Sequence, residues 1–256
     1  MKIGSRVWLA LILLPAGATL NAQSSPQQPA VRIPDGGGSG RIDSIFIPPK
    51  PGAPFSLVLD TEWTRPMSGG GSFTLANERR ILRDSRGRIY QERWILVPKG
   101  GDIKSTMDIF QITDPGQHTW YNCHTATRVC DLFLYSLTTT ERYGAAIGSS
   151  GPLPNGAGYR QVDDLGVDTI AGMGAHGYRE TMTINSGVMG NDRQMVGRRE
   201  FWYSEQLGIS LKSILDTPET GRQVFTAKEV SMSEPEPSYF AISEGFKVVD
   251  QRGASQ

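Results

Sequence analysis

Cys123 and Cys130 are the two cysteines of this 256-residue chain, and His124 and His118 stand close to them in sequence. Sulfur with imidazole is the donor set of a zinc site, which takes three or four ligands at about 2.0–2.3 Å. The spacing here matches neither a finger nor a catalytic zinc pattern. A thiol–disulfide catalyst carries its cysteines two residues apart at a helix start, and a c-type haem attachment needs that spacing followed by His. Six residues lie between Cys123 and Cys130, in strand-like surroundings. No metal and no cofactor is implied. What remains is a covalent bond between the two sulfurs.

Other chemistry is sparse. No Ser stands in a Gly-x-Ser-x-Gly elbow, and residues 148–151 (GSSG) read as a plain flexible loop. Asp163 and Asp164 are adjacent, so on an extended chain they point to opposite faces and do not converge on one substrate. Glu234 and Glu236 alternate with prolines in an extended, solvated segment. The third histidine, His176, stands alone. No catalytic residue is named, and an enzyme is not expected. Six arginines, Arg79, Arg80, Arg83, Arg86, Arg88 and Arg93, crowd one hairpin. They are either a solvated face that discourages edge pairing or a patch for an anionic partner, since guanidinium forks suit phosphate and carboxylate. Trp63, Trp94, Trp120 and Trp202 read as core residues.

The elements that position these groups begin with a compartment. Lys2 and Arg6 precede the apolar run VWLALILL, and small residues follow. That pattern is a secretory signal peptide, too short to span a bilayer, with cleavage expected after Ala22 rather than Ala18. Export to the periplasm or beyond follows. Bases and acids balance at 26 each, and loss of residues 1–22 removes two bases and no acid, leaving −2. No basic footprint for nucleic acid exists, and no further run is long enough for a transmembrane span. Residues 23–54 read as a Pro/Gly/Ser-rich linker in which IDSIFI alone has the apolar content to dock. Residues 55–250 form one domain, and residues 251–256 fray.

The body reads as antiparallel β-meander. Strands are expected over residues 55–59, 73–83, 88–97, 106–113, 118–123, 129–137, 180–184, 199–204, 208–215 and 222–230, several joined by short Asp-, Pro- and Gly-bearing turns. Helix is limited to a short piece over residues 138–146 and one turn over residues 237–240. The class is mainly β, an open half-barrel or strongly curved sheet. Leu132, Phe133, Leu134 and Tyr135 carry apolar groups on both faces of one strand, either as a covered central strand or as the wall of an apolar pocket. Residues 138–160 form a long loop with the composition of a lid or of a disordered connection.

In this setting residues 122–131 become a hairpin tip. Facing residues in an antiparallel pair approach to about 4.5 Å between Cα atoms, a distance a disulfide accepts. A Cys123–Cys130 bond is expected, closing eight residues and contributing about 2.5 kcal/mol in the chain-entropy model.

Three stretches, DLGVDTIAGMGAHGYRETMTI, REFWYSEQLGISLKSIL and FTAKEVSMSEPEPSYFAISEGFKVV, resemble a group of uncharacterised secreted bacterial proteins, as does RDSRGRIYQERW. Their order is distantly similar to the periplasmic lipoprotein-carrier superfamily, which includes the LolA and LolB carriers and the stress sensor RseB. That resemblance implies an unclosed half-barrel around an apolar cavity. Ile242 and Ser243 stand where the carriers have a proline. Two functions fit: a noncatalytic envelope protein that binds or carries a lipid or other apolar ligand, or an envelope protein-interaction module without a small-molecule ligand.

Overall fold

The computed structural model describes residues 45–136 and 148–253. The first run of strands is β1 (Phe55–Pro66), β2 (Ser72–Arg83), β3 (Ile89–Trp94), the short β4 (Val97–Pro98), β5 (Met107–Asp114), β6 (Thr119–His124) and β7 (Val129–Leu134). The second is β8 (Gly151–Pro152), β9 (Gly158–Ile170), β10 (Met173–Ile184), β11 (Met195–Ser204), β12 (Ile209–Thr217) and β13 (Gly221–Ser231), and β14 (Lys247–Asp250) ends it. All fourteen belong to one sheet, ordered β14-β7-β6-β5-β3-β2-β1-β13-β12-β11-β10-β9-β8, with β4 on β2. The sheet is open, not a closed barrel. Its pairs are antiparallel except β14, which runs parallel to β7.

This is the mainly β, open-sheet class expected from the sequence. Helix among the described residues amounts to two 3-10 turns, Pro154–Gly156 and Pro237–Phe240. The helix expected over residues 138–146 lies outside the described residues, as does the first part of the 138–160 loop. The rest of that loop is β8, a 3-10 turn and the start of β9. The sequence reading missed β9, the longest strand at 13 residues. GYRQVDDLGVDTI is polar and mostly exposed, with Gly166 at φ 76° beside a bulge. It is a strand because β10 pairs with it along its whole length, not because of its own pattern.

Alternation divides the sheet into two faces. Phe55, Leu57, Leu59, Thr61 and Trp63 of β1 define a front face, opposite Arg83, Ile81, Arg79, Asn77 and Leu75 of β2. Front apolar groups gather around Phe55, Leu57, Ile81, Leu211 and Phe225, and Ile45 and Ile47 join them. Ile45 and Ile47 therefore dock on the sheet, and residues 45–54 act as an N-terminal strap. The back face carries Leu82, Tyr90, Phe110 and Ile112, covered by a C-terminal strap through Tyr239, Phe240, Ile242 and Phe246. Full burial of a side chain such as Phe240 contributes about 2–3 kcal/mol.

Cys123 and Cys130 face each other across β6 and β7, Cα atoms 3.9 Å apart, joined by a disulfide. Both are fully buried in the back cluster. The bond sits beneath the strap, inward of the hairpin tip.

Candidate ligand-binding face

The front face changes character between β3 and β7. Register places Ile81, Gln91, Gln111, Asn122 and Asp131 in one row across β2, β3, β5, β6 and β7. The next row holds Arg83, Ile89, Thr113, Trp120 and Phe133. One end of the polar row is wired: Gln111 Nε2 donates to Asn122 Oδ1 at 2.9 Å, and Gln251 Nε2 donates to Asp131 Oδ1 at 2.9 Å. His124 Nε2 lies 3.2 Å from Asn122 Nδ2 and 3.9 Å from Asp131 Oδ2. Thus His124 belongs to a strand-face network.

The other end is not wired. Gln91 Oε1, Gln111 Oε1, Thr113 Oγ1 and Trp120 Nε1 are buried without a hydrogen-bond partner. Their residues are 3%, 1%, 1% and 6% exposed. Buried polar groups in folded proteins are nearly always paired, so four orphans within two adjacent rows call for a cause. Trp120 sharpens the point. Trp63 Nε1 donates to Thr220 O at 2.6 Å and Trp94 Nε1 to Glu92 Oε2 at 2.8 Å, as buried indoles usually do. Trp120 instead packs its ring on Phe133, centroids 5.2 Å apart, with Tyr135 alongside.

No family model and no curated protein matches the chain. Solved structures resemble it. An uncharacterised conserved protein from Thermus thermophilus overlaps 78% of this chain and 91% of its own, at 9% identity and TM-score 0.39. The MucA/MucB complex of Pseudomonas aeruginosa is matched at 13% identity and TM-score 0.37, over 77% of this chain and 58% of that one. This chain therefore spans less than two thirds of that protein. Lipoprotein LppX of Mycobacterium tuberculosis overlaps 69% of this chain and 85% of its own, at 13% identity and TM-score 0.24. What those proteins bind is a property of theirs.

The residues expected to form a pocket wall do not share one surface. Alternation along β7 sends Leu132 to the back and Phe133 to the front, opposite Tyr121 and Trp120 respectively. Only Phe133 and Tyr135 meet, in the front aromatic group. Leu134 is half-buried at the strand end on the Leu132 side. A cleft of about 450 Å³ lies elsewhere, lined by Arg198, Asp216 and Arg222 with Thr64 and Thr217.

The six arginines of the expected patch do not share one surface. Arg79 and Arg83 occupy front positions on β2 and are buried, at 2% and 0% exposure. Arg83 donates to the carbonyls of Pro48, Ala53 and Leu207 and stacks over Phe55 at 4.7 Å. Burial lowers the Arg83 pKa to about 10 and that of Arg79 to about 9, the latter against the pull of Glu92. Arg93 is half-buried, and burial lowers its pKa. Arg88 is held by Asp84 at 2.7 Å and covers Phe240. Arg80 reaches Tyr239, and Arg86 projects into solvent near Asp84. Six arginines near in sequence are spread over two faces, because successive strand residues point opposite ways.

Asp163 and Asp164 diverge as expected, Asp163 accepting from Gln161 and Asp164 meeting His176. The Asp164–His176–Tyr178 group was invisible in sequence because β9 was. Asp164 Oδ1 lies 2.7 Å from His176 Nε2, and Tyr178 Oη lies 3.2 Å from Nδ1. Glu234 is not merely solvated: its carboxylate accepts from Ser85 N and Oγ at 3.1 Å, pinning the C-terminal strap to the β2–β3 turn. No helix among the described residues is long and apolar enough to cross a membrane.

Proposed function

We propose that this chain is an exported, noncatalytic binding protein of the cell envelope that holds its ligand against the front face between β3 and β7. The cluster of buried, unpartnered polar atoms beside Trp120 and Phe133 carries this reading. Each such atom costs about 1–3 kcal/mol in the free protein, a cost that a hydrogen-bonding ligand offsets. The signal-like start of the chain and the buried disulfide support an oxidising compartment. A pure apolar cargo is less well served, since Ile45 and Ile47 of the chain itself pack into the front apolar cluster. A protein-docking role for the arginine hairpin would fall to Arg80 and Arg86, since Arg79 and Arg83 are buried.

Native mass spectrometry of the exported protein from a membrane-containing extract tests the proposal. A retained non-protein mass is expected, and it should disappear in Trp120→Ala. A clean unliganded mass across mild detergents would overturn the reading.

A further inference from the structure

The turns β1–β2, β12–β13 and β10–β11 stand side by side at one end of the strands, because β2, β1, β13, β12, β11 and β10 are consecutive in the sheet. Of the eleven exposed large apolar side chains among the described residues, six lie at this end: Met67, Phe73, Tyr159, Val188, Met189 and Val196. Such residues are ordinary when scattered singly, whereas a group of them marks an interaction surface. Met67 precedes Ser68 and three glycines, and Val188 and Met189 form the apex of the β10–β11 turn.

The cleft of about 450 Å³ opens between these turns. It takes Pro66 and Ser72 from the first hairpin, Asp216, Pro218 and Arg222 from the second, and Arg198 from the third. Register sets Arg198, Asp216 and Arg222 in one row, with Thr64 next. Asp216 stands between the two arginines, yet neither guanidinium has a hydrogen-bond or ion-pair partner among the described residues. Two free guanidinium forks beside a cleft suit an oxyanion with several acceptor oxygens, such as phosphate. A free phosphate would leave the apolar turns without a role. A protein partner calls for one contiguous apolar patch, but these side chains stand on separate turns with a charged cleft between them. A lipid interface uses both features. Strand rise of about 3.3 Å per residue puts Arg198 about 10 Å behind Met195, where β11 leaves the turn. Interfacial insertion reaches about 5–10 Å into the headgroup and acyl boundary. At that depth the cleft comes level with the headgroup phosphates.

We propose that this end of the sheet docks on an anionic phospholipid surface, with Met67, Val188 and Met189 in the interface and a headgroup phosphate between Arg198 and Arg222. The surface is separate from the front face between β3 and β7 and does not depend on it. The three turns and adjoining strand ends carry four arginines against Asp192, Asp216 and Glu219, so the attraction is local to the cleft rather than a broad basic field.

Cosedimentation of the mature chain with phosphatidylcholine vesicles, with and without phosphatidylglycerol, tests this. Binding is expected with phosphatidylglycerol and several-fold weaker without it. Met189→Asp should weaken it about tenfold, through loss of an inserted apolar side chain. Arg198→Gln and Arg222→Gln should each weaken it about fivefold. Asp216→Asn should strengthen it, by removing a like charge beside the phosphate. All four side chains are exposed, so Tm should not move. A purely structural arginine–aspartate row predicts the reverse: Asp216→Asn lowers Tm and leaves vesicle binding alone. That result would overturn the proposal, as would no vesicle binding, binding indifferent to phosphatidylglycerol, or binding unchanged in Met189→Asp. Glycerol phosphate binding without vesicle binding would make the cleft a free-anion site. Self-association lost in Met189→Asp, again without vesicle binding, would make the turns a protein interface. Either outcome sinks the bilayer assignment.

Discussion

The two straps cover opposite faces of the same sheet by different physics. The C-terminal strap lies on the back through Tyr239, Phe240, Ile242 and Phe246, and is finished by β14 pairing with β7. Tyr90 meets Tyr239 at 5.1 Å and Phe110 meets Phe246 edge-on at 5.3 Å, so its hold is aromatic area. The N-terminal strap has two buried isoleucines and a directional clamp, the Arg83 fork on the carbonyls of Pro48 and Ala53. Apolar packing yields gradually to substitution, whereas a buried fork holding several acceptors fails as a unit.

The largest effect on this contrast comes from the aromatic strap. Phe240→Ala should destabilise by about 3–5 kcal/mol in urea unfolding, through lost area and a cavity. The loss should extend to the disulfide region, which Phe240 helps to bury. An effect below about 1 kcal/mol would mean that the strap is held by β14 pairing instead. Arg83→Met comes next. It keeps the aliphatic volume but leaves three carbonyls without their donor, at about 3 kcal/mol in total. Hydrogen exchange should then rise in residues 45–54 and around Leu207 while the Phe240 region stays protected. Equal loss of protection on both faces would show the straps to be one cooperative unit.

How far these features were legible follows from where the signal resides. β1 could be read because its alternation is uninterrupted, from Phe55 to Trp63, and the hairpins carried their own turn residues. The cysteine pair was legible because compartment and spacing left one chemistry. β9 and β14 were not, since pairing with β10 and β7 makes them strands. The division of the hairpin's arginines between buried and exposed positions was missed, because charges were counted without assigning faces. The front polar group was missed because Gln91, Gln111 and Thr113 are single polar letters inside strands. Parity held the clue: in MDIFQITD of β5, Ile109, Gln111 and Thr113 share a face, and a covered face with an amide and a hydroxyl in a row is unusual.

The smallest effect tests where the C-terminal strap stops contributing. Beyond β14, Arg252 donates from Nε and its backbone N–H to Asp250 Oδ1 at 2.9 and 3.0 Å, and from a terminal nitrogen to Oδ2 at 2.6 Å. Hydrogen bonds from the Arg252 side chain, then from its backbone, pull the Asp250 pKa down to about 2. The folded value lies below the unfolded one of about 3.9. Any stability this pair adds is therefore present above about pH 4 and is lost as pH falls toward 2. Both groups are solvent-exposed, so the titration moves while global stability barely does. Arg252→Gln should raise the Asp250 pKa toward its ordinary value, followed by carboxyl NMR, with no measurable change in Tm at neutral pH. A fall in Tm would mean that the strap is anchored past Gln251, and that its aromatic residues carry less of the hold than their packing implies.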